Sequence, residues 1–317
     1  MIQRLRRAAL EPQQNREEYD GFLKNALAWH GSVSPKIARR VLAAMLFSTL
    51  VCLELPHIVH LRIEMTPFEF SGFALGLLLV FRTNAGYDRW WEARKLWGSI
   101  VNQSRNLAAI GSGYARGGPE WRSEFLRAVA AFPHIIRKSL RGERDVEDLT
   151  ELLGPNKVAE LATAQHLPSW INAEIIRLIA EARHRSLIDG FEFQRIDRER
   201  ALIVDALGAC ERILKTPMPV VFAIKARRFI LVFLVLLPMA LVERIGWGTP
   251  FVTGLVAYAL FSLDQIGVEL QNPFTKKNLS HLPLDEICET IESNVLGVEP
   301  DGSGHRNAAS LSVSGAQ

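Results

Sequence analysis

Two stretches of this chain are strongly apolar, residues 41–81 and 229–263, and any folded form must keep both away from bulk water. Short polar segments divide each stretch into two uncharged runs, around Arg62 and Glu64 in the first and at Glu243 and Arg244 in the second. Each stretch therefore predicts a helical hairpin whose polar tip lies at residues 62–65 or 243–247. A lone membrane-crossing helix needs about 20 apolar residues. Only the run 245–263 approaches this length, so we expect the four spans to lean on other helices.

The composition places these hairpins beside a large polar part. Of the 317 residues, 48% are hydrophobic and 22% are charged, and the mean hydropathy is +0.08. This charged fraction is ordinary for globular proteins, so the apolar excess is concentrated in the hairpins and a disordered chain is excluded. A net charge of +3 is too small to indicate nucleic-acid binding. The alternative to a membrane protein is a soluble protein that buries both hairpins in a helical core.

Basic residues predict the orientation of the four spans. Residues 1–40 contain eight Lys or Arg, and the middle region 82–228 is also basic, whereas each hairpin tip contains one Arg. The positive-inside rule then places both termini and the middle region in the cytoplasm. The first 20 residues are polar and basic, without the apolar core of a secretory signal.

The remaining segments indicate an all-α protein. The middle region has apolar residues at three- and four-residue spacing, interrupted at Gly118-Pro119, Gly142 and Gly154-Pro155, and no alternating strand pattern is visible. The Ser- and Gly-rich end of the chain is expected to be disordered. The predicted segments are a cytosolic N-terminal segment 1–40, a transmembrane hairpin 41–81, a cytosolic helical region 82–228, a second hairpin 229–268, a cytosolic C-terminal helical segment 269–299 and a tail 300–317.

Signatures of enzymes, metal sites and cofactor sites are absent from the sequence. It contains no phosphate-binding loop, dinucleotide fingerprint, nucleophile elbow or HExxH motif, and its three cysteines form no CxxC, so we expect neither an enzyme nor a cofactor. His57 and His60 could share a metal, but we favour polar residues at a membrane boundary and expect no metal site. Glu54 is expected to be buried against the helix bundle.

The most informative segment is 81–98, FRTNAGYDRWWEARKLWG, which continues directly from the second apolar run. An aromatic belt at a membrane interface would explain its tryptophans and flanking charges, but not Asn84 or Asp88. This segment resembles the bestrophin family of ion channels, in its bacterial branch. The residues that carry the resemblance are Arg82, Asn84, Arg89, Trp90 and Trp91, then the stretch 210–219 (CERILKTPMP), and finally Asn272, Pro273 and Phe274 within 267–274 (GVELQNPF).

The resemblance implies a homopentamer around one pore, whose neck is lined by the second transmembrane helix. It places the neck at Phe73, Leu77 and Phe81, which are four residues apart and share one helical face. Helix–helix packing is the alternative use of such a stripe. Glu69 lies one turn before Phe73, and Asp88 lies near the same face beyond Phe81, so both are candidate selectivity residues, although Glu69 could simply mark the end of the span.

The resemblance also implies a second, cytosolic constriction, which position matching puts at Phe191; a buried core phenylalanine is the alternative. Animal bestrophins follow the Asn-Pro-Phe motif with acidic residues that clasp calcium, whereas residues 275–278 here are TKKN, so no calcium clasp is expected. Some members pass anions and others monovalent cations. Carboxylates at Glu69 and Asp88 favour cations slightly over chloride. The competing hypothesis is a membrane-anchored enzyme or scaffold with a helical partner-binding domain.

Overall fold

The protein is helical throughout the part that the structure describes. The computed structural model describes residues 28–29, 31–58, 64–115 and 118–298, and within these ranges every regular element is a helix, which confirms the all-α prediction. The α-helices are α1 (Ser34–Ile58), α2 (Thr66–Tyr114), α3 (Pro119–Arg141), α4 (Thr150–Leu153), α5 (Pro155–Thr163), α6 (Leu167–His184), α7 (Gly190–Lys215), α8 (Val220–Ile245), α9 (Thr249–Glu269) and α10 (Leu284–Leu296).

The described residues form two compact units. The first, the hairpin unit, comprises residues 28–94 and 213–282, and the second, the polar unit, comprises residues 95–212 and 283–298. Helix α2 is 49 residues long and continues from the apolar run 70–81 through the whole segment 81–98 without a break. His60, the side chain of His57 and the tail 300–317 lie outside the described residues.

Apolar side chains from three helices form the core of the hairpin unit. Leu75 and Leu79 of α2 pack with Phe233 and Leu237 of α8 and with Ala257 of α9. Helices α8 and α9 are joined by a 3₁₀ turn, Gly246–Gly248. Among the described residues, no helix combines the length and the apolar character required to cross a membrane.

Small and polar residues hold α1 close to α9. A Cβ atom added at Gly254 of α9 would lie 2.8 Å from the Met45 side chain, so a larger residue here would force Met45 to move. The hydroxyl of Ser48 donates to that of Thr253 over 3.2 Å in the same buried interface. The prediction that Glu54 is buried was wrong: it continues the exposed face of Leu46 and Leu50, at four-residue spacing, and is itself exposed.

The polar unit is built around α3, whose buried face includes Trp121, Phe125 and Phe132. Positive-φ glycines lie at the helix ends where the sequence shows breaks: Gly118 (φ 71°) precedes α3, and Gly142 (φ 72°) follows it and donates its N–H to the last carbonyls of the helix. Glycine tolerates this left-handed backbone at no steric cost, which explains the two boundaries.

Ion pairs link the helices within the polar unit. The carboxylate of Asp285 on α10 accepts from Arg137 at 2.8 Å and from Arg141 at 2.9 Å. On α6, Glu174 accepts from Arg177 at 2.8 Å and from Lys157 at 2.6 Å. The hydrogen bond from Arg177, with that from Lys157, lowers the pKa of Glu174 to about 2, so this carboxylate stays charged at any pH the protein meets.

Candidate functional site

One face of α2 is exposed over its first six turns, while the opposite face is buried. The buried face carries Leu75, Leu79, Arg82 and Gly86. The exposed face is named here the α2 stripe, and its members are Thr66, Glu69, Phe70, Phe73, Leu77, Val80, Phe81, Asn84 and Asp88. At 100° per residue these nine side chains fall within about 120° of arc, and they extend for roughly 33 Å along the helix.

Chemical character changes along the α2 stripe in the order polar, apolar, polar. Thr66 and Glu69 begin it, five apolar side chains follow, and Asn84 and Asp88 end it. The three predicted neck residues are conspicuously uncovered: Phe73 is 74% exposed, Leu77 45% and Phe81 59%. Helix α2 therefore packs against the rest of the subunit through the opposite face. No described residue buries the stripe.

Phe70 and Val80 also belong to the stripe, although neither was predicted from the sequence. Phe70 is 72% exposed and Val80 45% exposed, and each lies within one turn of a predicted neck residue. Their signal was present in the sequence, since positions 70, 73, 77, 80 and 81 follow the three- and four-residue spacing of one helical face. The apolar part of the stripe is thus broader than three side chains.

Arg82 of the family motif is buried behind the stripe and forms an ion pair with Asp264 of α9. Arg227 of α8 donates its Nε–H to the other oxygen of Asp264 over 3.3 Å. The Arg82 side chain lies against Gly267 of α9, where a Cβ would meet its Cγ at an ordinary contact distance of 3.6 Å. Asp264 was missed from the sequence, although it is the first charge after the uncharged run 245–263.

Arg89 joins the three motif stretches that carry the family resemblance. Its guanidinium donates to the carbonyl of Ile213 at 2.5 Å and to that of Thr216 at 2.8 Å, both in the stretch 210–219. It also donates to the carbonyl of Gln271 at 3.4 Å, in the stretch that contains Asn-Pro-Phe. One planar, always charged fork thus holds three separate chain segments, a task that lysine cannot perform in the same geometry.

The Asn-Pro-Phe segment is fixed by its own hydrogen bonds. The side-chain oxygen of Asn272 accepts from the N–H of Phe274 at 3.1 Å, and Phe274 is fully buried. The Trp90 indole donates to the carbonyl of Ser280 at 2.7 Å. The N–H of Leu282 donates to the carbonyl of Pro273 at 2.8 Å. These contacts give Asn272, Pro273, Phe274 and Trp90 structural roles, while Trp91 is 46% exposed and stacks on Tyr87.

Phe191 lies at the start of α7 and is 85% exposed, so it does not belong to the core of the polar unit. A carboxylate oxygen of Asp189 accepts the N–H groups of Phe191 and Glu192 at 2.8 Å, and Glu192 in turn accepts the N–H of Asp189 at 2.7 Å. This reciprocal pair is a capping box, which the sequence D-G-F-E encodes. It explains why a large apolar side chain is held in the open at a helix start.

No group of three or more His, Cys, Asp or Glu side chains within the described residues is arranged to hold a metal ion.

Comparison with known proteins decides the family. The model for bacterial and fungal bestrophin proteins matches residues 13–297. The chain belongs to the bestrophin family. This confirms the resemblance drawn from the three motifs. Members of the family are oligomeric ion channels of membranes and not enzymes, which confirms that the chain is not an enzyme.

Similar proteins match most of the chain. A voltage-dependent anion channel-forming protein of Synechocystis is 36% identical over 273 residues, spanning 85% of this chain and 89% of that protein. The voltage-dependent anion channel-forming protein YneE of Escherichia coli is 35% identical, spanning 87% and 90%. The crystal structure of a bacterial bestrophin homolog from Klebsiella pneumoniae is 28% identical, with a TM-score of 0.77, and covers 83% of this chain and 98% of that one.

The Arg89 contacts generate a prediction about stability of this bestrophin. Arg89→Lys loses the fork geometry and leaves at least one carbonyl without its charged donor, so we expect unfolding to become easier by about 2–3 kcal/mol. The measurement is the thermal unfolding midpoint of the purified protein in detergent. Arg94→Lys, an exposed arginine on the same helix, is the matched control and should change stability by less than about 0.5 kcal/mol. Equal shifts in the two variants would contradict the role of Arg89.

Proposed function

We propose that this bestrophin is a homopentameric channel for small monovalent ions in the bacterial inner membrane, with the α2 stripe lining its neck. The observation that carries the proposal is the stripe itself, an exposed face that is polar, apolar and polar again over roughly 33 Å. This is the chemical profile of a water-filled mouth, a narrow apolar neck and a second mouth.

Placement in a membrane is supported by where the apolar surface lies. Among the described residues, the large apolar side chains that are exposed belong to the hairpin unit with only three exceptions, Tyr114, Ile176 and Phe191. Soluble monomers rarely expose contiguous apolar surface on this scale. The proposed spans are α1, the first part of α2, α8 and α9, with both termini in the cytoplasm. Their polar groups pair with each other inside the unit, as Ser48 does with Thr253.

Assembly of five subunits would place the α2 stripe opposite the same stripe of the other four copies. Closed rotational symmetry turns the same face of each copy toward a common axis, and five stripes would then enclose one pathway. Rings of Phe73, Leu77 and Phe81 would form an apolar neck that conducts when wide and stops ions by dewetting when narrow. Following the family resemblance, Phe191 forms a second, cytosolic constriction, for which its 85% exposure in the isolated subunit is suitable.

Cation conduction is the selectivity that the stripe supports. Glu69 and Asp88 are both exposed on it, so five copies would place one ring of carboxylates before the neck and another after it. Such rings favour cations, even if mutual repulsion leaves each only partly charged. The two nearby arginines lie elsewhere, since Arg82 is paired with Asp264 and Arg89 donates to backbone carbonyls. Neither side chain therefore offsets Asp88 on the stripe.

Anion conduction is the second candidate, and the names of the relatives favour it. The similar proteins of Synechocystis and Escherichia coli are both called voltage-dependent anion channel-forming proteins. Activation by calcium is not part of either proposal, because residues 275–278 offer two lysines and no carboxylate for a hard cation.

Leu77→Ala should widen and wet the neck, since it removes the middle apolar ring. We expect the single-channel conductance in planar bilayers to rise, by roughly twofold or more, or ion selectivity to relax. Leu46→Ala is the matched control: Leu46 is 66% exposed on α1, outside the stripe, and its truncation should leave conductance unchanged. If both variants behave as wild type, the stripe does not line the pathway.

Glu69→Gln tests the source of selectivity. In a sodium chloride gradient with calcium chelated, we expect the wild-type current to reverse near the sodium potential and the Glu69→Gln current to reverse closer to zero. Glu54→Gln makes the same charge change at an exposed position on α1 and should not move the reversal potential.

Each other outcome identifies a different error. Reversal near the chloride potential in the wild type would contradict cation conduction and support the second candidate. Reversal near the sodium potential that Glu69→Gln leaves unmoved would assign selectivity to another residue. Current that disappears under chelation and returns with calcium would contradict the absence of a calcium clasp.

A further inference from the structure

A groove of about 480 Å³ runs along the surface of the hairpin unit between α1 and α8, with α9 as its floor. Its walls are mostly aliphatic and aromatic. The residues that line it are Arg40, Ala43, Ala44 and Phe47 of α1, Arg227, Ile230, Leu231, Leu234 and Val235 of α8, and Phe261 and Asp264 of α9. Leu231 and Val235 are 58% and 42% exposed, so the groove is open along its side.

Charged and apolar groups are separated along the groove. On α1, Arg40 precedes the apolar lining residues, and on α8, Arg227 precedes them in the same way. Helix α9 runs antiparallel to α1 and α8, and on it Asp264 follows Phe261. All three charged side chains therefore lie at one end, and only apolar side chains line the rest, over roughly 12 Å along α8 from Arg227 to Val235.

The charged end has an excess of positive charge. Asp264 is its one carboxylate among the described lining residues, and it is shared between the buried Arg82 and Arg227. Arg40 forms no ion pair with any other described residue, and its side chain is exposed. The two arginines at the charged end are thus only partly compensated, and their positive charge is complementary to an anionic group.

From this layout we propose that the groove binds an anionic phospholipid of the cytoplasmic leaflet, with its phosphate on Arg40 and Arg227 and an acyl chain along the apolar walls. The inference rests on the membrane placement in the proposed function, which puts the starts of α1 and α8 at the cytoplasmic surface. Basic pockets between helices at that surface are the usual sites for anionic headgroups. The bound lipid would lie between α1 and α8 and set the distance between these two helices.

The test is selective lipid retention by the purified full-length protein. Protein in detergent is incubated with an equimolar mixture of phosphatidylglycerol and phosphatidylcholine that carry the same acyl chains, and bound lipid is counted by native mass spectrometry. We expect the wild type to retain phosphatidylglycerol in preference. R40Q/R227Q should lower that preference at least about fivefold. The control R39Q/R228Q removes two exposed arginines next to the groove residues and should lower it by less than about twofold.

Two further variants keep the inference falsifiable. Because Arg227 also pairs with Asp264, R40Q is tested as a single variant beside R40Q/R227Q. Helicity and elution volume show which variants fold. Ala43→Trp fills the groove without changing charge and should reduce retention of both lipids. Equal losses in the two double variants, no lipid preference in the wild type, or unchanged retention in Ala43→Trp would each overturn the site. A smaller assembly in Ala43→Trp with unchanged lipid would assign the groove to contact between copies.

Lipid retention is read without any ion flux, so this inference and the proposed channel can fail separately. Protein that conducts ions but shows no preference for phosphatidylglycerol contradicts only the lipid site. Protein that retains phosphatidylglycerol through Arg40 and Arg227 but passes no ions contradicts the channel and leaves the lipid site intact.

Discussion

The buried ion pair between Arg82 and Asp264 fixes the rotation of α2, and the rest of the functional surface depends on that rotation. Arg82 sits on the side of the helix opposite Leu77, so holding its guanidinium against α9 turns the α2 stripe away from the subunit core. Buried pairs gain little net stability, because desolvation offsets most of the attraction, but a mispaired alternative leaves a charge buried and is strongly disfavoured. We therefore assign to this pair the role of fixing the rotation of α2. Turning the helix by even one residue, about 100°, would carry part of the stripe toward the core and move Arg82 away from Asp264.

Arg89 complements this arrangement two turns further along α2. Arg82 sets the rotation through one carboxylate, and Arg89 holds the stretches 210–219 and 267–274 through backbone carbonyls within them. Every residue has a backbone carbonyl, so these hydrogen bonds fix the path of the two stretches without requiring particular side chains at the acceptor residues. Gly86 lets α2 lie close to this second stretch, because a Cβ at position 86 would lie 3.1 Å from the Leu270 Cβ. The motifs that identify the family thus mainly build the frame that presents the stripe.

Much of this could be predicted from the sequence, for physical reasons that differ between residues. The helices, their glycine boundaries and the face shared by Phe73, Leu77 and Phe81 follow from local periodicity, which a single sequence contains. The partners of Arg82 and Arg89 could not be found in this way, because Asp264 and Ile213 are more than 120 residues distant and no local pattern pairs them. Glu54 was misplaced because a carboxylate in an apolar run suggests burial, whereas its helical phase puts it on an exposed face. Phe191 was chosen by position alone, and the capping box around it was overlooked.

If the α2 stripe faces water rather than lipid or protein, cysteines placed on it must react with water-soluble thiol reagents, which a substituted-cysteine experiment measures. Cys52 is replaced by Ser; Cys210 and Cys288 are buried, and burial raises the pKa of the Cys288 thiol to about 12, which keeps it unreactive. Single cysteines at Leu77 and Asn84 on the stripe are compared with cysteines at Leu46 on α1 and at the buried Leu79, using a charged thiol reagent that does not cross membranes. We expect modification and altered current for the cysteines at positions 77 and 84, and neither effect at positions 46 and 79. Equal reactivity at positions 46 and 77, or none on the stripe, would contradict a water-facing stripe.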